Sequence, residues 1–103
     1  MITAVIVAAL VQSAAINSQR DNYIGCLKGA VESAKAQQLP AEALEAHLRQ
    51  TCASVETNFE GALIAFDLKN KVPRKLAASD AQVQVDDFVT NSVERYKMLA
   101  AKK

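Results

Sequence analysis

The sequence predicts a small all-α protein: a three-helix bundle, made of a disulfide-stapled helical hairpin plus a third helix, after an N-terminal apolar signal segment. Three observations support this. The composition favours helix, with no Trp, three Gly and two Pro in 103 residues. Apolar residues recur every three or four positions over long stretches, and the two prolines divide those stretches. A single domain of this size has a modest core, so a covalent staple would add much of its stability.

Residues 1–15 have the pattern of a removable secretion signal. None of them is charged, and Ser13-Ala14-Ala15 places small residues before a cleavage point after an apolar run. As a helix the run would cover about 24 Å, less than the ~30 Å hydrocarbon core of a bilayer, which favours a signal over a spanning helix. The segment lacks the Lys or Arg that usually begins a signal. We expect cleavage before Ile16, leaving residues 16–103 as a single domain.

The stretch Tyr23-Ile24-Gly25-Cys26 resembles the lipobox of bacterial lipoproteins, in which the Cys becomes the lipid-bearing N-terminus. Six polar residues, 17–22, separate it from the apolar run, whereas a lipobox lies directly at the end of that run. Lipidation of Cys26 would also leave Cys52 unpaired in an oxidising compartment. The sequence therefore favours a disulfide at Cys26 over a lipid.

The first helix of the mature chain is predicted from about Ser18 to Gln38. Ser18 suits an N-cap, and Asp21 lies near the positive end of the helix dipole. Leu39-Pro40 ends the helix, because proline disfavours helical geometry in the residue before it. The apolar positions at helical spacing are Ile24, Leu27, Val31 and Ala34.

The second helix is predicted from about Ala41 to Asn70, between the two prolines. Its apolar residues follow one another at intervals of three and four, which indicates a single stripe along about seven turns. The stripe consists of Leu44, Leu48, Cys52, Val55, Phe59, Leu63 and Phe66. Pro73 ends this helix.

The third helix is predicted from about Asp80 to Ala101. Ser79 and Gln82 have the spacing of a capping box. In that motif the Ser side chain bonds the backbone amide of the Gln, and the Gln side chain bonds the backbone amide of the Ser. The apolar stripe comprises Val85, Phe88 or Val89, Val93, Tyr96 and Leu99.

Cys26 and Cys52 are predicted to form a disulfide. Cys26 precedes position 39 by 13 residues and Cys52 follows it by 13, so a hairpin turning at Leu39-Pro40 puts both at the same height. Closing this loop is worth about 3 to 4 kcal/mol in the chain-entropy model. The alternative is a pair of buried thiols in a cytosolic bundle. A disulfide implies an oxidising compartment.

The sequence offers no pattern for enzymatic chemistry, so we expect no catalytic residues, no metal and no cofactor. His47 is the sole histidine, and its helical neighbours Ala43 and Thr51 are not metal ligands. It has no nucleophile motif beside it, and no glycine-rich loop suits a phosphate. We interpret His47 as a surface residue without a role.

Four cations, Lys69, Lys71, Arg74 and Lys75, occur within seven residues that contain no acid. We call this group the cationic corner and expect it to contact an anionic partner. The net charge is only +1 and no aromatic residue lies in the cluster, so nucleic acid is not expected to bind.

The pattern as a whole predicts a non-enzymatic periplasmic or secreted module that binds another macromolecule. The alternative is a membrane-tethered accessory subunit whose N-terminal helix is retained and packs beside other membrane helices through small residues. Contact with a membrane is expected only in that second case.

Overall fold

The computed structural model describes the backbone of residues 2–101 and the side chains of residues 14–100. Its four helices are α1 (Ile2–Ala36), α2 (Ala41–Thr51), α3 (Ala53–Lys69) and α4 (Arg74–Ala101). The prediction of an all-α protein is confirmed, and the described residues contain no strand. The predicted signal segment lies outside the residues with described side chains, apart from Ala14 and Ala15.

The helices form an antiparallel bundle of three rods. The first rod is α1, the second consists of α2 followed by α3, and the third is α4, which returns alongside α1. Buried apolar side chains from all four helices meet between the rods and exclude water from the centre. The largest fully buried side chains are Tyr23, Phe59, Leu44, Leu48, Val85 and Val89.

Three aromatic rings fill the middle of this core. The ring of Tyr23 stacks on Phe59 with centroids 5.8 Å apart. Phe88 lies edge-on to both of those rings, at 6.0 Å from each centroid. The guanidinium of Arg20 covers the outer side of Phe59 at 5.6 Å from its centroid, a cation–π distance. The aromatic cluster joins α1, α3 and α4 at one level of the bundle.

The predicted start of the first helix at Ser18 is wrong, because α1 is already helical at Ile2 and continues through Ser18. The Ser18 side chain is exposed on this continuous helix. Serine in a helix interior costs only a few tenths of a kcal/mol relative to alanine, so an N-cap residue type does not by itself begin a helix. The predicted end at Gln38 lies two residues beyond Ala36.

The predicted single helix over 41–70 is interrupted at Cys52, where φ is −107° and ψ is 18°. The interruption is a kink of one residue, since the Cys52 amide still bonds the Leu48 carbonyl at 3.0 Å and the Cys52 carbonyl accepts from Glu56 at 2.9 Å. The apolar stripe therefore stays in phase, and both Leu48 and Phe59 are fully buried. No Pro or Gly lies within four residues of the kink, which coincides with the cross-link to α1.

The first corner, after α1, is a Schellman motif. Gln38 adopts the left-handed conformation with φ 55°. The Leu39 amide then bonds the Ala34 carbonyl at 3.0 Å, and the Gln38 amide bonds Lys35 at 3.1 Å. Pro40 follows and precedes the first residue of α2. These bonds satisfy helix carbonyls that would otherwise lack a partner.

The second corner, after α3, repeats this geometry. Lys71 has φ 66°, the Val72 amide bonds the Asp67 carbonyl at 2.9 Å, and the Lys71 amide bonds Leu68 at 3.1 Å. Pro73 again comes next in the chain. Glycine usually takes the left-handed position of this motif, and here a lysine does so instead.

The predicted start of the third helix at Asp80 is wrong, and α4 begins at Arg74. The Pro73 carbonyl accepts from the Ala77 amide at 2.9 Å, so the helix starts directly after the proline. Proline suits this position because its fixed φ is already helical and its missing amide proton is not needed there. The predicted capping pair lies inside the helix, where Gln82 donates to Asp86 at 2.9 Å.

Candidate functional site

The predicted disulfide between Cys26 and Cys52 is present, and their Cα atoms are 5.9 Å apart. Cys52 is buried and Cys26 is half-buried. The Cys26 sulfur also lies 3.9 Å from the Thr51 carbonyl oxygen, a van der Waals contact because a disulfide sulfur carries no proton. The bridge fits a non-reducing compartment, since cytosolic thiols are normally kept reduced.

The cationic corner lies on the exposed turn between α3 and α4. Its four side chains, Lys69, Lys71, Arg74 and Lys75, are all exposed. Among the side chains of residues 14–100, no carboxylate oxygen lies within 4 Å of their nitrogens. The corner is therefore a patch of uncompensated positive charge on a chain whose net charge is close to zero.

The backbone at this corner does not need the lysines for capping. The carbonyls of the last turn of α3 already accept from the backbone amides of the corner, and the Asn70 side chain donates to Phe66 at 2.9 Å. The positive charge of Lys69 lies near the negative end of the α3 dipole and contributes about 0.3 to 1 kcal/mol to stability. Arg74 and Lys75 are at the start of α4, the positive end of that helix's dipole, which repels cations. The helix dipole therefore does not explain why these two positions are cationic.

Arg49 is the centre of a polar network that sequence reasoning missed. Its guanidinium lies 2.9 Å from a carboxylate oxygen of Asp86 on α4, 3.3 Å from Glu45 on its own helix, and 3.8 Å from Glu56 on α3. The hydrogen bonds from Arg49 and Gln82 lower the pKa of Asp86. The network joins α2, α3 and α4 beside the kink, and we interpret it as structural.

Tyr23 extends this network into the core. Its ring is fully buried, and its hydroxyl donates to a Glu56 carboxylate oxygen at 3.2 Å. Burial of the ring, and then the negative charge of Glu56, raise the pKa of Tyr23 far above its ordinary range. The hydroxyl therefore stays protonated and acts as a hydrogen-bond donor.

Glu60 lies beside the same network without an ion-pair partner within 4 Å among the described side chains. Partial burial, followed by repulsion from Glu56 and Asp86, raises the pKa of Glu60. A carboxyl whose pKa is higher in the folded state binds its proton more tightly there. At a pH where the carboxyl is ionised in both the folded and the unfolded protein, its charge therefore destabilises the folded state.

We expect Glu60→Gln to stabilise the protein at pH 7, because the substitution removes the partly buried charge while keeping a similar shape. The gain should shrink as the pH falls through the raised pKa of Glu60 toward the ordinary glutamate value of about 4.3. Well below that value it should vanish, since wild-type Glu60 is then neutral in both states. Urea unfolding of the two proteins from pH 7 down to pH 3 measures this difference. A gain that is equal at both ends of the range would contradict the electrostatic cause.

His47 does not match the interpretation as a surface residue without a role. Its side chain is half-buried, and its Nε2 lies 3.2 Å from the Ala30 carbonyl oxygen. A carbonyl only accepts, so Nε2 carries the proton and donates. The bond ties α2 to α1 one turn from the disulfide. Within the described part of the chain, no three His, Cys, Asp or Glu residues are grouped so that they could hold a metal ion.

A groove between α1 and α4, near the first corner, was not predicted. It has two adjoining sections of about 380 and 570 Å³ that share Lys35, Tyr96 and Leu99 in their walls. Leu99 was predicted as core but remains 43% exposed. The available signal was that the apolar stripe of α4 extends one turn past Tyr96, to a level where α1 is already ending.

Comparison with family models, curated proteins and solved structures gave no significant match. The fold and its surface define a disulfide-stapled helical bundle with uncompensated positive charge at one corner. In the part of the chain that is described, no helix is both long enough and apolar enough to cross a bilayer.

Proposed function

We propose that this chain is an exported, non-enzymatic helical module that binds an acidic protein partner through the cationic corner. The observation that supports the proposal is the set of four exposed cations without a neighbouring carboxylate among the described side chains. Within the described part of the chain, neither helix capping nor ion pairing accounts for Arg74 and Lys75. Concentrated charge on a nearly neutral chain steers a partner of opposite sign toward one end of the molecule.

An acidic protein fits the corner better than a nucleic acid does. The corner, residues 69–75, contains no aromatic side chain on which a base could stack. Its charges are carried on flexible, exposed side chains, and such charges contribute about 0.2 to 1 kcal/mol per ion pair, falling with salt. We therefore expect a salt-sensitive contact in which the corner sets orientation and association rate.

Export is supported by two independent features, the pattern of residues 1–15 and the disulfide. We expect the protein purified from its native host to begin at Ile16. N-terminal sequencing or intact mass measures this directly. Recovery of Met1 at the N-terminus would rule out the cleaved signal and favour a tethered form with a retained N-terminal segment.

The corner is tested by Arg74→Gln with Lys75→Gln. We expect the wild-type protein to be retained on immobilised polyglutamate and the double variant to elute at clearly lower salt, because two of four corner charges are gone. Both residues are exposed, so the free energy of unfolding should stay within about 0.5 kcal/mol of wild type.

The matched control compares two single variants, Lys75→Gln in the corner and Lys97→Gln further along α4, outside both the corner and the groove walls. Each removes one exposed positive charge, and Lys97 is paired with Glu94 at 3.8 Å. Equal loss of retention in these two single variants would show a non-specific charge effect and overturn the proposal. Binding to vesicles of phosphatidylglycerol, without retention on polyglutamate, would identify a membrane surface as the partner and overturn it as well.

A further inference from the structure

The groove between α1 and α4 has an apolar floor that the side chains of residues 14–100 leave uncovered. Val31 and Leu39 form it on the side of α1 and the first corner, and Tyr96 and Leu99 form it on α4. It is partly open to solvent. A ligand lying in it therefore contacts the floor and both edges and keeps its outer side in water, as the helix of a partner in a groove does.

The two hydroxyl groups in the walls of the groove, on Ser92 and Tyr96, are already bonded within the protein. The Tyr96 hydroxyl donates to the Leu39 carbonyl, and the Ser92 hydroxyl donates to the Phe88 carbonyl at 3.0 Å. No directed donor is left in the floor to recognise a polar ligand. The floor therefore offers burial of apolar surface, which is the contact that the apolar face of an amphipathic helix makes.

The edges of the groove are positively charged on both sides. Lys28 and Lys35 stand on α1, and Arg95 stands on α4. Glu32 is the single acid in the groove wall, and it lies 3.3 Å from Lys35. Among the described side chains, Lys28 and Arg95 have no carboxylate oxygen within 4 Å. A ligand that complements these edges carries negative charge on both sides of an apolar stripe.

We propose that this groove binds an acidic amphipathic helix of a partner protein. The groove extends along α1 from Lys28 to Lys35, a rise of about 11 Å, which corresponds to two turns of a bound helix, and it continues to Leu39 in the first corner. The apolar stripe of that helix covers Tyr96 and Leu99. Its flanking acids face Lys28 and Lys35 on one side and Arg95 on the other. This surface is distinct from the cationic corner, so it does not depend on the proposed function.

Two other occupants fit the groove less well. A second copy of the chain, docked through the same face, would bring the cations of the two grooves together, and like charges across an interface are unfavourable. A single-chain lipid carries its charge at one end, whereas the cations here lie on both edges and are spread over two turns of α1. Charge complementarity therefore selects a helix with several acidic residues.

The test uses two designed peptides of about 18 residues, above the length at which isolated helices are marginal. Both have the same leucine and alanine face; one carries Glu on both flanks and the other carries Lys. We expect the Glu peptide to bind the wild-type protein, shifting the backbone NMR signals of Val31, Ser92 and Leu99. We expect the Lys peptide to bind much more weakly.

Charge reversal at the edges, Lys28→Glu with Arg95→Glu, should weaken the binding of the Glu peptide about tenfold and strengthen the binding of the Lys peptide. Leu99→Ala should weaken the binding of both peptides, because it removes apolar surface from the floor of the groove and changes no charge. All three residues are exposed, and circular dichroism and the unfolding midpoint will confirm that the variants fold. The Arg74→Gln, Lys75→Gln variant should bind the Glu peptide as wild type does, which separates the groove from the cationic corner.

The proposal is overturned if neither peptide binds, if charge reversal leaves the preference unchanged, or if the shifts map to residues 69–75. It is also overturned if vesicles of phosphatidylglycerol shift the groove signals while the Glu peptide does not, because the occupant would then be a lipid. Concentration-dependent dimerisation that Leu99→Ala abolishes would identify a second copy instead.

Discussion

Replacing both cysteines, Cys26→Ala with Cys52→Ala, should lower the free energy of unfolding by about 3.5 kcal/mol. The bridge joins residues 26 positions apart, and a loop of that length loses about this much conformational freedom in the unfolded chain. A domain this small has little stability in reserve. We therefore expect the midpoint of thermal unfolding to fall by about 15 °C or more.

Urea unfolding of wild type, with and without dithiothreitol, measures the same quantity without a substitution. The double alanine variant is the control, since its stability should not respond to the reductant. A loss below about 1 kcal/mol on reduction would contradict the prediction and indicate that helix packing alone holds the two rods together.

Phe59→Ala should cost about 3 to 5 kcal/mol, the range for removing a fully buried aromatic ring. Phe59 is completely inaccessible and contacts the rings of both Tyr23 and Phe88. Its loss leaves a cavity where α1, α3 and α4 meet, and Arg20 loses the ring face that its guanidinium covers. We expect a partly unfolded protein at 37 °C, measured by near-ultraviolet circular dichroism and by urea unfolding.

Val83→Ala is the matched control, because Val83 is an apolar residue of α4 that is 55% exposed. It should change the free energy of unfolding by no more than about 0.5 kcal/mol. Similar losses in the two variants would mean that the aromatic cluster is not the centre of the core.

The sequence sufficed for the helical class, the hairpin and its cross-link because each depends on spacing along the chain. Periodicity of three and four residues identifies a buried face wherever the helix lies. Equal distances from Leu39-Pro40 align Cys26 with Cys52 whatever the details of the turn. Pro73 likewise located the end of the second rod, since a proline ends the helix before it. The start of the next helix was placed six residues too late, at Asp80 instead of Arg74.

The remaining features depend on tertiary contacts that local patterns do not encode. The kink at Cys52 has no local breaker, and α4 begins at Arg74 although Ser79 has the spacing of a cap. The Arg49 network joins residues 37 positions apart, Arg49 and Asp86. The groove beside Leu99 depends on how far α1 and α4 overlap at the first corner. The Arg49 network has no signal in any short segment of sequence, and the only local signal of the groove is that the apolar stripe of α4 continues to Leu99.

The position of the disulfide also decides how the molecule responds to a protease. The first corner, around Gln38, is exposed and lies inside the covalent ring that Cys26 and Cys52 close. A cut there yields two chains that remain linked and keep their helices in register. A cut at the second corner, around Lys71, lies outside the ring and frees α4 from any covalent connection to the hairpin. The two geometrically equivalent turns therefore differ in their response to proteolysis. Cleavage at the first corner leaves the helices covalently joined, whereas cleavage at the second corner separates α4 from the hairpin.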